Sequence, residues 1–447
     1  MPGFSEDGRQ VLHAAVGCLA LLLRFALWWE AAVLAGVAVA VNAYVLPRAA
    51  GPWLFREAEL RRRALSGVVL YPIAILALIL VLPDRLDIVA GAWGVLAFGD
   101  GLATLAGRHL ASPRIGWNPQ KSIAGTSAFV LCGGAAGALL CWWCRPIVIP
   151  PPYVWFSLGA PLLAAGAAAA VETIPISLDD NITVPFTAAA VLWWASLISS
   201  DAVSVFWTEA GPLLPVAVAV NAVFAVAGVW GRTLTPSGAL CGAGIGVVIM
   251  LTAGWGGWIL LAATFAMAVL TSRIGWQRKV MLGIAETRGG RRGAGNAFAN
   301  TGVAAAAAIL SAVSYATGPA LVGLVAALAA GGSDTMASEV GKAWGRRTFL
   351  FPTFQTVPAG TPGAVSLTGT AAGLLGAIIL GSLGVAAGLI PVRMLFPVLA
   401  GATAGAFAES AMGAKLEASG IVNNDVLNFA NTAIAAAVAV LLAKSVA

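Results

Sequence analysis

Apolar stretches separated by short polar breaks run from one end of the chain to the other. With a helical rise of ~1.5 Å per residue, about 17–22 residues cross the ~30 Å hydrocarbon core of a bilayer. Stretches of that order are read at 11–29, 31–47, 67–83, 88–106, 122–141, 154–172, 184–204, 212–229, 238–253, 257–272, 297–316, 319–333, 363–387, 394–411 and 426–444. The pattern predicts an all-α polytopic membrane protein with about fifteen transmembrane helices. The first stretch follows a short polar segment without a small-residue cleavage site, so a retained helix is expected there, not a removed signal peptide.

Composition agrees with that class. The chain is 60% hydrophobic and 10% charged, with a mean hydropathy of +0.90, whereas soluble domains carry about a quarter charged residues. The net charge of +6 is accounted for by topology. If the N-terminus is cytoplasmic, 20 of the 25 Lys and Arg residues fall in inner segments, leaving Arg24, Arg85, Arg145, Arg393 and Lys444 outside, as the positive-inside rule requires. No nucleic-acid partner is implied. The same threading places every polar cluster described below on the cytoplasmic side. Trp28–Trp29, Trp142–Trp143 and Trp193–Trp194 lie near span ends, where amphipathic rings anchor at headgroup level. Cys141 and Cys144 have no second pair or ligating His nearby and read as small hydrophobes.

Charge within apolar helices calls for an explanation, because a carboxylate at the bilayer centre costs about 2.5–3.5 kcal/mol even on insertion scales. Asp100 sits near the inner end of a predicted span, with Thr104 and Gly107 on the same helical face. The loop after it ends in Asn118-Pro119-Gln120-Lys121-Ser122, then Gly125-Thr126 at the start of the next helix. A lysine, hydroxyls and the free N–H groups of a helix N-terminus make a phosphate seat. Glu172 closes the sixth span and Asp179-Asp180-Asn181 precede the seventh, so carboxylates and a carboxamide converge as hard oxygen ligands suited to Mg2+ on a nucleoside triphosphate. Taken singly, Asp100 also reads as a turn residue, Lys121 as an orientation charge and Asp179-Asp180-Asn181 as a helix cap.

Beyond about residue 210 the motifs change, and no repeat aligns the two halves, so 1–210 and 211–447 read as two fused helical bundles and not as a duplication. Asp334, Ser338, Gly341 and Gly345 draw a small polar stripe down one helix, with Glu339 one residue round and Lys342 near its end. Upstream stand Lys279, Glu286, Arg291, Arg292, Asn296 and Asn300, and forked arginines grip phosphate well. Downstream, the Gly/Pro-rich segment 357–366, which includes Thr361, enters another helix; Glu409 closes a span; and Asn424, Asn428 and Asn431 with Asp425 form a polar seam. Basic inner loops for orientation and Asn seams for helix association are the bland alternatives.

The first-half motifs, Gly99-Asp100-Gly101-Leu102-Ala103, Trp117 to Thr126, Val171-Glu172-Thr173-Ile174-Pro175 and Asp179 to Pro185, resemble the phytol and farnesol kinases. These belong to the wider CTP-dependent dolichol kinase and phosphatidate cytidylyltransferase-like superfamily, and the likeness covers roughly residues 9–205. Ala124 resembles the phytol kinase branch, since the other branches often carry an acid there. Arg9 and His13 resemble the family's basic-residue-plus-His signature, although Gln10 departs from it; His13 reads either as a packed residue or as a participant. The second-half text, Leu234 to Ala239, Gly283 to Arg292, Asp334 to Gly341, 357–370, Glu409-Ser410 and Asn423 to Phe429, resembles the membrane family that includes plant phytyl-phosphate kinase.

These resemblances imply a bifunctional membrane kinase. The first half would convert a prenyl alcohol of the phytol, geranylgeraniol or farnesol type to its monophosphate, with CTP or another nucleoside triphosphate as donor, and the second would convert the monophosphate to the diphosphate. Within that reading Asp100, Glu172, Asp179, Asp180 and Asn181 hold Mg2+ or activate the hydroxyl, and Lys121, Ser122 and Thr126 meet the nucleotide. In the second half Asp334, Glu339 and Asp425 hold Mg2+, while Lys279, Glu286, Arg291, Arg292, Asn296, Lys342, Thr361, Asn424 and Asn428 meet substrate and nucleotide. No Gly-Lys-Ser/Thr phosphate loop is present. A lipid transporter or flippase, a cytidylyltransferase and a scaffold are the competing classes; matched discontinuous helices, the mark of many transporters, are not found.

Overall fold

The computed structural model describes residues 6–49, 66–284 and 287–446. Eleven helices among them are long and apolar enough to cross a membrane, fewer than the fifteen or so expected. The differences have physical causes. Residues 11–29 form a helix, Glu6–Gly17, that tightens into the 3-10 segment Cys18–Arg24 and breaks before Trp28. Gly67–Val81 and Asp180–Ser196 are helical but short. The stretches at 238–253 and 257–272 form two helical segments of Pro236–Arg273 that meet at a kink, where Gly254 adopts φ +65°. A straight helix of that length would reach ~57 Å, and the glycine is the residue able to turn it.

The chain divides into two compact units, Met1–Ser196 and Leu197–Ala447. The helix Ser200–Ala210 stands with the second, where Ser199 N–H donates to Val313 O at 2.9 Å.

Unit 1 comprises α1 (Glu6–Gly17), α2 (Trp28–Ala49), α3 (Gly67–Val81), α4 (Leu86–His109), the antiparallel strands β1 (Arg114–Ile115) and β2 (Asn118–Ser122), α5 (Ile123–Ile147), α6 (Val154–Glu172) and α7 (Asp180–Ser196). Helix α4 lies at the centre and packs against α5 and α7. In its apolar window 67% of residues are buried, against 6% for α2. The core around it is dominated by small and aliphatic side chains such as Ile88, Val89, Leu96, Ala164 and Ala188, as expected where helices approach closely without a hydrophobic drive between them. Two π turns, Val95–Asp100 in α4 and Phe129–Gly133 in α5, pack on one another. Such turns re-aim the side chains that follow them, and Asp100 ends the first.

Unit 2 comprises α8 (Ser200–Trp230), α9 (Pro236–Arg273), α10 (Trp276–Met281), α11 (Ala294–Val313), α12 (Thr317–Trp344), the strands β3 (Thr348–Leu350), β4 (Gln355–Thr356) and β5 (Ala364–Ser366) in the order β4-β3-β5, α13 (Leu367–Ala386), α14 (Val392–Glu417) and α15 (Asn424–Val446). Its central helix is α12, with 78% of its apolar window buried against α11, α13 and α15. In each unit, then, the most enclosed helix is the one that carries the intramembrane aspartate.

Close approach of α4 and α5 depends on glycine at one point. A Cβ on Gly133 would lie 3.0 Å from Gly99 Cα and 3.2 Å from Val95 O. Gly133→Val is expected to push the helices apart at a cost of about 1–3 kcal/mol, read as a lower melting temperature of the purified protein in detergent; an unchanged melting curve would show that the contact yields freely.

Candidate active site

In unit 1 three chain segments bring one acid each to a common point. Asp100 comes from α4, Glu172 from the last residue of α6 and Asp180 from the first residue of α7, and one carboxylate oxygen of each lies within 4.8 Å of the others. Lys121, on β2, reaches between them: its Nζ donates to Glu172 Oε1 and, at 3.2 Å, to Asp180 Oδ2. Burial works against the lysine's charge, yet the Glu172 and Asp180 carboxylates more than offset it and hold the ammonium above its ordinary range. The β2 strand that presents Lys121 is pinned by Asn118, whose Nδ2 donates to Thr173 O at 3.2 Å just beyond Glu172. His13 Nε2 stands 3.7 Å from Asp100 Oδ2 and its ring meets Tyr71 edge-on at 4.7 Å, so the residue with two open readings lies beside the cluster.

Other predicted members serve the framework. Asp179 caps α7: its Oδ1 accepts from Asn181 N at 2.9 Å and from Asn181 Nδ2 at 2.7 Å, and neither residue belongs to the group of three acids whose oxygens meet. The phosphate seat expected at the start of α5 is also corrected. Its N–H groups are taken, Ile123 by Pro113 O at 3.0 Å, Ala124 by Ser112 Oγ at 2.9 Å and Gly125 by Ser122 Oγ at 3.2 Å. Ser122 is therefore a buried N-cap, and Thr126 lies half-buried one turn along.

In unit 2 Asp334, Lys342, Thr361 and Asn424 line one cavity of about 320 Å³, together with Glu409, which the sequence reading leaves outside the site. The Asp334 and Glu409 carboxyl groups lie against one another, and Asn431 stands beside Glu409. Glu339 points elsewhere. Lys279, fully buried, donates to Glu339 Oε2 and, at 2.7 Å, to Ser272 O, while Lys342 Nζ reaches Glu339 Oε1 at 3.3 Å. Both oxygens of Glu339 are thus engaged by amines, and neither it nor Lys279 is placed for Mg2+ or phosphate. The reason is geometric: one residue along a helix is about 100° of rotation, enough to turn Glu339 away from the face that carries Asp334.

The remaining predictions divide similarly. Arg292 is tied to Asn296 Oδ1 at 3.0 Å, Ser272 Oγ at 3.2 Å and Ala268 O at 3.4 Å, and with Asn296 it lines a separate, mostly apolar cavity of about 130 Å³. Arg291 is exposed. Asp425 faces Gly295 at the start of α11 and is not a lining residue of the larger cavity, and Asn428 is buried away from it. Glu286 lies outside the described residues. For Glu409, the available signal was its position at the end of a span, the same as that of Glu172.

Residues 219–436 match the family model of integral membrane protein DUF92. An uncharacterized membrane protein of Synechocystis is 40% identical over 217 residues, which covers 47% of this chain and 82% of that protein. The chain belongs to the DUF92 integral membrane family. Within reach of this DUF92 protein is also protein VTE6 of Arabidopsis thaliana, a chloroplast protein 36% identical over 219 residues, 47% of this chain and 65% of the relative. A probable phytol kinase of Triticum aestivum is 31% identical over 137 residues, 29% of this chain and 44% of the relative. The chain is thus similar both to DUF92 membrane proteins and, over a shorter stretch, to a protein named as a probable phytol kinase. No solved structure matches.

The buried ion pair gives a test of its own. Lys279→Met or Glu339→Gln alone is expected to destabilise the protein by about 3–5 kcal/mol, because each strands a buried partner, whereas Lys279→Met with Glu339→Leu should recover most of that loss. Denaturant unfolding in detergent checks it; a double variant as unstable as the sum of the two singles would count against a structural pair.

Proposed function

We propose that this protein is an integral-membrane isoprenoid kinase with two active units. The first transfers a phosphoryl group from a nucleoside triphosphate, CTP by family likeness, to a prenyl alcohol, and the second phosphorylates the resulting monophosphate. The observation that carries the reading is the convergence of Asp100, Glu172 and Asp180 around Lys121 at the ends of apolar helices. Three carboxylates held that closely suit a hard divalent cation better than any apolar ligand. Similarity to chloroplast proteins described as probable phytol kinases supports the substrate class.

Phosphoryl transfer asks the protein mainly for positioning and charge neutralisation. Asp100, Glu172 and Asp180 would hold Mg2+, which when bound draws charge from the nucleotide phosphates. Lys121, bonded to Glu172 and Asp180, would take up a phosphate oxygen. The prenyl tail lies among the helices with its hydroxyl at the cluster. The hydroxyl oxygen attacks the terminal phosphorus, the bond to the bridging oxygen breaks, and the nucleoside diphosphate leaves with that electron pair. Asp100, with His13 at 3.7 Å, receives the alcohol proton. In unit 2 the cavity lined by Asp334, Glu409 and Lys342 takes the monophosphate, with the loop around Thr361 over it. The lysine and arginine distribution supports a cytoplasmic location for both sites.

Purified protein incubated with prenyl alcohols and CTP or ATP, with products identified by mass spectrometry, tests this directly. Asp100→Asn is expected to abolish monophosphate formation, by 10²-fold or more on the scale of an essential proton acceptor, roughly, while Asp334→Asn should let monophosphate accumulate without diphosphate. Unchanged products from both variants would favour transport or scaffolding.

A further inference from the structure

The two units share a local design that no continuous alignment reveals. In α4 the order is Asp100, Ala103, Thr104, Gly107, Arg108; in α12 it is Asp334, Ala337, Ser338, Gly341, Lys342, at identical spacing. Each helix is followed by a small antiparallel β segment that ends in a serine N-cap. Ser122 Oγ accepts from Gly125 N at 3.2 Å and Ser366 Oγ from Gly369 N at 3.1 Å. A Cβ on Gly107 would lie 3.1 Å from Ser122 Oγ, and one on Gly341 3.1 Å from Ser366 Oγ. One on Gly125 would meet Ala103 O, and one on Gly369 would meet Ala337 O.

The correspondence continues through the next two helices. Glu172 and Glu409 each stand at or near the end of an α-helical segment. Asp179 and Asn423 each cap the helix that follows, accepting Asn181 N at 2.9 Å and Val426 N at 3.0 Å. Asp180 and Asn424 are then the first residues of α7 and α15. Their successors, Asn181 and Asp425, press on Gly67 and Gly295, each in the first turn of another helix.

We infer that the units are copies of one helical design, and that unit 2 carries its own divalent-cation site in which Asp334, Glu409 and the Asn424 carboxamide stand where Asp100, Glu172 and Asp180 stand in unit 1. The expectation of two unrelated fused halves is thereby revised. An independent observation points to the ligand: Glu409 is 9% exposed, its Oε2 has no hydrogen-bond partner, and it borders the cavity shared with Asp334 and Asn424. In unit 1 Lys121 bonds Glu172 and Asp180; Val365 occupies its position ahead of the serine cap in unit 2. Lys342 lines the same cavity, with its Nζ turned to Glu339 Oε1 at 3.3 Å, and a carboxamide oxygen is an ordinary ligand of hard cations.

The site is tested without lipid or nucleotide, so its outcome is separate from that of the kinase reading. Purified full-length protein in detergent is titrated with Mn2+ near neutral pH, and free Mn2+ is counted by electron paramagnetic resonance. Two bound Mn2+ per chain are expected, one lost in Glu172→Gln and the other in Glu409→Gln. Asn424→Asp, which adds a third carboxylate, should tighten the site that Glu409→Gln removes by about tenfold, a gain that misfolding does not produce. A single Mn2+ abolished by Glu172→Gln, two that both survive Glu409→Gln, or an Asn424→Asp protein with unchanged affinities would overturn the inference.

Discussion

Three carboxylates do not remain together within an apolar bundle unless positive charge stands among them, and the architecture of unit 1 follows from that requirement. Lys121 supplies part of it by bonding Glu172 and Asp180 at once. The amine has to arrive from outside the helices that carry the acids, and β2 delivers it from the turn between α4 and α5. Asn118 fixes that strand to the end of α6, so the same loop that carries the lysine also holds the helix end that carries Glu172. Three acids with one amine leave room for a cation, and this is the proposed seat of the chemistry.

The helices are arranged to protect that point. The most enclosed span of each unit bears the aspartate, which keeps the carboxylate away from acyl chains, where its cost would be greatest. Small residues at α4 and α5 allow two π turns to meet, and such turns locally change the angular spacing of side chains. Unit 2 separates two tasks that unit 1 combines. Its Lys279–Glu339 pair is fully enclosed and structural, while Asp334 and Glu409 face a cavity.

Much of this was legible in the sequence because composition and residue type depend on local text. The membrane class, the α4 aspartate, Lys121, Glu172, Asp180 and Asp334 were all read from spacing and from the cost of charge in lipid. What was not legible was the choice of partner. Spacing alone puts Glu339 among the ligands, whereas Lys279, far away along the chain, bonds it. The start of α5 looked like an anion seat until Ser112 and Pro113 were found to occupy its N–H groups. The likeness of the two units was hidden because unequal loops and a π turn interrupt a register carried by few residues, Asp, Gly, Ser and Glu among them. The two helices joined at Gly254 and the short helices Gly67–Val81 and Asp180–Ser196 account for the difference between the stretches read from hydropathy and the eleven long apolar helices among the described residues.

If the acids of unit 1 and a nucleotide share one cation, that ion must sense phosphorus directly. Mn2+ and CTP bound to Glu409→Gln protein, in which unit 1 alone keeps all its acids, can be observed by electron–nuclear double resonance. A phosphorus hyperfine coupling that disappears on adding Glu172→Gln is expected. An Mn2+ signal without phosphorus coupling in the presence of CTP, or one indifferent to Glu172, would contradict the placement of the metal–nucleotide site between α4, α6 and α7.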